Sequence, residues 1–201
     1  MKYFLFDIGN VLLDFEFEKL LRALADGAGQ PVRPLSDRDV EMHDAVETGD
    51  ISDEKWVEYL NETRGLSWTV DSLVNLWSRM FSINETGRGL FLDAMEAGVP
   101  VHILSNIGGH HVAAIKNNWS GFFDGVASLF LSYQIGLRKP DPSIYHHVLD
   151  HLDAEGSQCF FIDDRPENIE AALAEGINAH HFVPENHAAI RHAAAEFFGW
   201  A

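Results

Sequence analysis

Basic residues and cysteine are scarce in this chain of 201 residues. Lysine and arginine number 14 against 31 aspartates and glutamates, a formal net charge of -17. That sign repels phosphate backbones and anionic headgroups, which argues against a nucleic-acid-binding or membrane-surface protein. The acidic excess serves solubility, and an anionic ligand would need a local cation to reverse the field at its site. With one cysteine, Cys159, no intrachain disulfide forms, and a reducing cytoplasm is the expected location. Cys159 lies in the apolar run Cys159-Phe160-Phe161-Ile162 and reads as a small core residue. No apolar stretch approaches the roughly 20 residues of a membrane helix, and the first residues lack signal-peptide character. Internal repeats and low-complexity tracts are also missing.

Hydrophobic residues make up 46% of the chain, enough for a substantial core. The chain opens on Tyr3-Phe4-Leu5-Phe6-Asp7-Ile8-Gly9-Asn10. An unbroken apolar run suits a strand buried on both faces, as in a parallel sheet. Gly9 and Asn10 break it, which places Asp7 at the strand's carboxyl end, the edge where open α/β sheets bind ligands. Asp14 is a plausible helix N-cap before Phe17, Leu20, Leu21 and Leu24, which share one helical face. Residues from Asp37 to Ser82 carry only helical signals. Trp56, Trp68 and Trp77 read as the core of that helical block. One helix suffices for a crossover between parallel strands, so several imply an insertion over the strand end.

A regular alternation of strand and helix then resumes. Strands are predicted at Val101–Leu104, Val126–Leu131, Cys159–Ile162 and Ala179–Val183, with helices between and after them. Asp141 caps a helix with Pro142 at its first position. The strands end in Asp7, in Ser105-Asn106, near Arg138-Lys139-Pro140, and in Asp163-Asp164. Right-handed crossovers put all these groups on one edge. Crowded carboxylates resist ionising unless a cation joins them, and Mg²⁺ takes one or two carboxylates together with phosphate oxygens. The set fits phosphoryl transfer, with Asp7 as nucleophile.

These four stretches, in this order, resemble the motifs of the haloacid dehalogenase (HAD) superfamily of hydrolases. Phe6-Asp7-Ile8-Gly9-Asn10-Val11 is similar to its first motif and Leu104-Ser105-Asn106 to its second. Gly136-Leu137-Arg138-Lys139-Pro140 is similar to the third, and Ile162-Asp163-Asp164-Arg165-Pro166 to the fourth. The resemblance implies a Rossmann-like three-layer parallel α/β core at 1–14 and 86–201, with an all-helical cap inserted at 15–85. It implies a Mg²⁺-dependent phosphatase acting on a small phosphorylated metabolite, with a sugar phosphate as one candidate. Asp7 would attack phosphorus and bind Mg²⁺, with Gly9 offering its carbonyl to the metal. Ser105, Asn106 and Lys139 would hold phosphoryl oxygens. Asp164 would ligate the metal directly and Asp163 through a second layer or water, with Asn168 bracing the lysine or metal region.

One position departs from the family pattern. Most family phosphatases carry a second Asp two residues after the nucleophile, as general acid and base. Here that residue is Gly9, a departure shared with the family's bacterial glucose-1-phosphate phosphatases. General acid–base catalysis contributes roughly 10²–10⁴-fold, so slow or substrate-restricted turnover is expected. His43 is one candidate for the missing proton donor; the alternative is a surface helix histidine. The pairs His110-His111, His147/His151 and His180-His181 read as solvated or structural. Two rival readings remain: a metal-free 2-haloacid dehalogenase using Asp7 on carbon, and a non-catalytic binder of a phosphorylated ligand. Trp200 reads as a candidate interface residue.

Overall fold

The computed structural model describes residues 1–200. In chain order the strands are β1 (Tyr3–Phe6), β2 (Leu13–Asp14), β3 (Ser82–Ile83), β4 (Val101–Ser105), β5 (Ser128–Leu131), β6 (Cys159–Asp163) and β7 (Asn178–His181). The helices are α1 (Phe17–Ala28), α2 (Asp37–Glu47), α3 (Asp53–Arg64), α4 (Val70–Met80), α5 (Glu85–Glu96), α6 (Gly109–Asn118), α7 (Ser132–Ile135), α8 (Pro142–Leu152), α9 (Pro166–Ala174) and α10 (His187–Phe198). No described helix is long and apolar enough to cross a membrane.

Five strands form a parallel sheet in the order β5-β4-β1-β6-β7. β1 is central, and its residues alternate between two cores. Phe4 and Phe6 join the larger apolar cluster with Phe91, Ile103, Phe160 and Ile162. Leu5 points the other way, to Leu104, Ile144, Tyr145 and Phe161. Period-two side chains with both faces covered are what a continuous apolar run encodes. The architecture is the α/β, Rossmann-like arrangement expected from the sequence. The chain leaves β1 toward β4 and β5 and returns to β6 on the other side. The topological switch, where ligands settle, therefore falls between the ends of β1 and β6.

Helices α1–α4 lie between β2 and β3. They are capped as their sequences suggest: Ser36 closes a capping box with Asp39, Ser52 accepts from Lys55 N, and Gly65 ends α3 at φ 71°. Asp14 is not a cap. The residue before α1 is Glu16, without a side-chain cap, and Asp14 instead pairs in a two-residue antiparallel ribbon with Ser82. Asn84 Nδ2 donates to Asp14 Oδ1 at 2.7 Å. This ribbon joins both ends of the helical block to the sheet. Trp200 stacks on Phe198 and Phe4 and is partly buried against the core.

Close approach of α5 to the loop after β1 requires Gly87. A Cβ there would meet the Val11 carbonyl oxygen at 1.8 Å. Gly87→Ala is expected to destabilise the fold by about 3 kcal/mol, measured by urea unfolding. His102 on β4 is 3% exposed and neither ring nitrogen has a partner. Burial, reinforced by His151, pushes its imidazolium down from 6.5 to about 4. Because the folded value lies below the unfolded one, stability is full above pH 6.5 and falls as pH drops toward 4. That fall is worth about 3 kcal/mol. Unfolding curves at pH 7 and pH 4 should show His102→Leu losing less on acidification than the wild type.

Candidate active site

The site is assembled from strand ends. Lys139, which follows β5 and α7, is 1% exposed. Its Nζ lies 3.0 Å from Asp7 Oδ1 and 2.5 Å from Asp163 Oδ2, and donates to the Leu104 carbonyl at 2.8 Å. Burial alone would lower the ammonium pKa, but the Asp163 and Asp7 carboxylates prevail and raise it. The lysine is a fixed cation.

Its neighbours hold it from both sides. Asn106 receives the Lys139 N–H on Oδ1 at 2.9 Å and donates from Nδ2 to the Lys139 carbonyl at 2.8 Å. The Asn106 carboxamide is thus spent on the lysine backbone, which departs from its expected contact with phosphoryl oxygens. Asn168 Nδ2 donates to both oxygens of Asp163, at 2.9 and 3.0 Å, and Arg165 N donates to Oδ1 at 2.9 Å. Ser105, 2% exposed, sits beside the Asp7 carboxylate and works against the rise in its pKa.

Asp163 and Asp164 differ sharply. Asp163 is fully buried and engaged by three donor groups. Asp164 has one side-chain partner, Asn10 Nδ2 at 2.9 Å. Asn10 reaches it from φ 51°, the left-handed conformation that Asn tolerates. Oxygens of Asp7, Asp163 and Asp164 all lie within 4.8 Å of one another. Burial pushes Asp7 up to about 7, opposed by Lys139 and reinforced by Asp163 and Asp164. Three carboxylates thus share one ammonium, a donor set that fits a hard divalent cation.

Asp7, Ser105, Asn106, Lys139 and Asp164 open onto a cavity of about 330 Å³, within the size range of small-molecule sites. Its other walls come from the helical block. His43 lines it and faces Glu47 at 3.8 Å, so it is not a simple surface histidine. Trp77 belongs both to the block's core and to the cavity wall. The pair His110-His111 is buried rather than solvated. His110 Nδ1 lies 2.6 Å from Asp53 Oδ1 on α3, and His111 lines the cavity. Arg138 pairs with Asp44 and with Glu47 on α2, while Ser132 Oγ donates to the Glu47 carbonyl at 2.5 Å. These four contacts fasten the block over the strand ends. His147 and His151 are exposed, and His181 Nε2 meets the Asp164 carbonyl at 2.8 Å, both structural placements as expected.

A parallel α/β sheet with a nucleophile-like carboxylate, a fixed lysine and an acidic pair at its switch point defines a class of hydrolase. A family model described as "haloacid dehalogenase-like hydrolase" matches residues 1–176. The chain belongs to that family and is a hydrolase. It is 24% identical over 196 residues to D-ribitol-5-phosphate phosphatase of Bacteroides thetaiotaomicron, spanning 92% of this chain and 93% of that one. It is 37% identical over 89 residues to a sesquiterpene phosphatase of Aspergillus oryzae, 43% of each chain. Among solved structures, a HAD-family enzyme of Bacteroides thetaiotaomicron in complex with magnesium and inorganic phosphate superposes with a TM-score of 0.78. Identity there is 22%, over 90% of this chain and 93% of that one, a likeness of fold.

Removing the ammonium should expose the electrostatic strain it relieves. Lys139→Met leaves buried carboxylates unpaired and is expected to cost about 3–5 kcal/mol at pH 7. The cost should shrink at pH 5, because Asp7 then carries its proton in the folded state. Urea denaturation at both pH values checks the sign.

Proposed function

We propose that the protein is a Mg²⁺-dependent phosphatase that hydrolyses a small phosphorylated metabolite through an aspartyl-phosphate on Asp7. The observation that carries this reading is Lys139 bridging Asp7 and Asp163 while Asp164 stays nearly free beside them. Residues 15–85 would act as the cap and the remainder as the core. The phosphatase names of the relatives above agree with the activity.

Mg²⁺ would be held by Asp7, the Gly9 carbonyl and Asp164, and would neutralise charge on phosphoryl oxygens. Asp163 would serve the lysine rather than the ion, since its oxygens are already hydrogen-bonded. Lys139 and the Ser105 hydroxyl would hold phosphoryl oxygens, and Asn106 would orient Lys139. Asp7 attacks phosphorus, the ester oxygen leaves, and water then releases phosphate and regenerates the carboxylate.

Gly9 is where the usual proton donor is missing. A Cβ on Gly9 would lie 3.2 Å from Phe15 Cε1, so the Phe15 ring abuts the space of that side chain. His43 is half-buried on the cavity wall and remains the candidate donor. The dehalogenase reading gains nothing from Asp164, a carboxylate that a metal-free site would leave without a role.

Phosphate release from a panel of phosphomonoesters tests the reading. Turnover should require Mg²⁺, stop in EDTA, and vanish in Asp7→Asn. No release from any ester would sink it, and halide release without Mg²⁺ would replace it. Gly9→Asp is expected to raise kcat by about tenfold or more on esters of poor leaving groups, provided Phe15 shifts by a few tenths of an ångström.

A further inference from the structure

One wall of the cavity is apolar. It includes Phe15, Phe17, Leu20, Leu35, Trp77 and Phe81. Phe15, Trp77 and Phe81 pack edge-on or tilted against one another at 5.2–6.3 Å between centroids. The apolar surface continues outward. Phe17 is 46% exposed and Val40 45%, and both line the cavity. Large apolar side chains left in water at the rim of a pocket, on a chain with 31 acidic residues, mark a surface with something to bind.

The polar groups of this cavity are largely committed to one another. Asp44 and Glu47 are paired with Arg138, Asn106 with Lys139, and Asn168 with Asp163. A polyol chain brings several hydroxyls, each of which loses water on entry and needs a replacement partner. Two wall residues carry a nitrogen with no partner, Nε2 of His111 and Nε of Arg138, and both atoms are sealed in by their neighbours. His111 is 4% exposed, and its Nδ1 accepts from Gly108 N at 3.0 Å, which places the ring proton on Nε2. Burial, with His110 and His43 nearby, holds the ring neutral. That N–H lies below the cavity surface and offers no partner to an entering hydroxyl.

We infer that the substrate is a phosphate monoester with an apolar alkyl or aryl body, and not a polyhydroxylated sugar phosphate. This rests on the phosphatase reading and names its substrate class. Phosphate sits at Asp7 and Lys139, the body lies along Phe15, Trp77 and Phe81, and its far end passes Phe17 and Val40.

The test compares primary alkyl esters, whose leaving groups react similarly: hexyl phosphate and 2-phenylethyl phosphate against ribitol 5-phosphate and glucose 6-phosphate. Each buried methylene is worth roughly fourfold, so kcat/KM for the apolar esters should exceed the polyol esters by about 100-fold. The double variant Phe17→Ser, Val40→Ser, at two exposed positions, should reduce that ratio by about tenfold. Polyol esters turned over as well as or better than apolar ones would overturn the inference and leave the phosphatase reading standing. No release from any ester would overturn the phosphatase reading, and this inference with it.

Discussion

The ammonium of Lys139 is the interaction on which the rest of the site depends. Burying a lysine between two aspartates is costly unless every charge is met by geometry and hydrogen bonds. Here each is met. Nζ takes Asp7, Asp163 and the Leu104 carbonyl, the first just past β1 and the others in β6 and β4. One cation therefore ties the carboxyl ends of three strands. The support extends further: Asn106 fixes the lysine backbone, Asn168 fixes Asp163, and the buried Tyr145 hydroxyl on α8 donates to the Asn168 carbonyl at 2.8 Å. A fully connected network of this kind sets positions to a fraction of an ångström, which a site built on loops alone would not.

That network also separates the duties of adjacent acids. Asp163 ends β6 facing inward, where Lys139, Asn168 and the Arg165 N–H saturate it. Asp164, one residue on, has turned out of the strand and keeps only Asn10. The left-handed Asn10 is thus as much a part of the site as the acids, because the turn after Asp7 is what reaches across to Asp164. Three carboxylates around one ammonium leave the site negative, the same sign as the molecule's net charge of -17, so it suits a cation before an anion.

The strands and their common edge were legible because an apolar run ending in a polar group is a local signal. Tyr3–Phe6, Val101–Ser105 and Cys159–Asp163 all carry it, and the α/β family follows from their order. The features that escaped depend on distant partners. The ribbon of β2 and β3 has two residues in each strand, too few for any period to register, and its pairing spans about 70 residues of sequence. Asn106 was legible as a polar residue at a strand end, but its engagement with Lys139 depends on a segment 33 residues away. His110 is buried because Asp53, on a helix of the inserted block, awaits it. Two adjacent histidines after two glycines look solvated until that block is set over them. The signal was their position on the first turn of the helix that follows Ser105-Asn106.

Gly9 and the aromatic wall are best understood as one change. Without a side chain at that position, Phe15 comes to 3.2 Å from where a Cβ would be and stands edge-on to Trp77 and Phe81. An aspartate there would add a charge beside the ring and press it out of that arrangement. The loss of a proton donor and the gain of a continuous apolar surface next to Asp7 therefore share a single structural cause. A charged acid at Gly9 would have to be desolvated against Phe15, whereas glycine leaves the wall dry and lets apolar surface approach the nucleophile. Chemistry lost at Gly9 and binding surface gained at Phe15 pull in opposite directions on rate. Under the proposed phosphatase reading, which dominates would depend on the body of the ester, and the same residue pair would set both how fast the site turns over and what it prefers to hold.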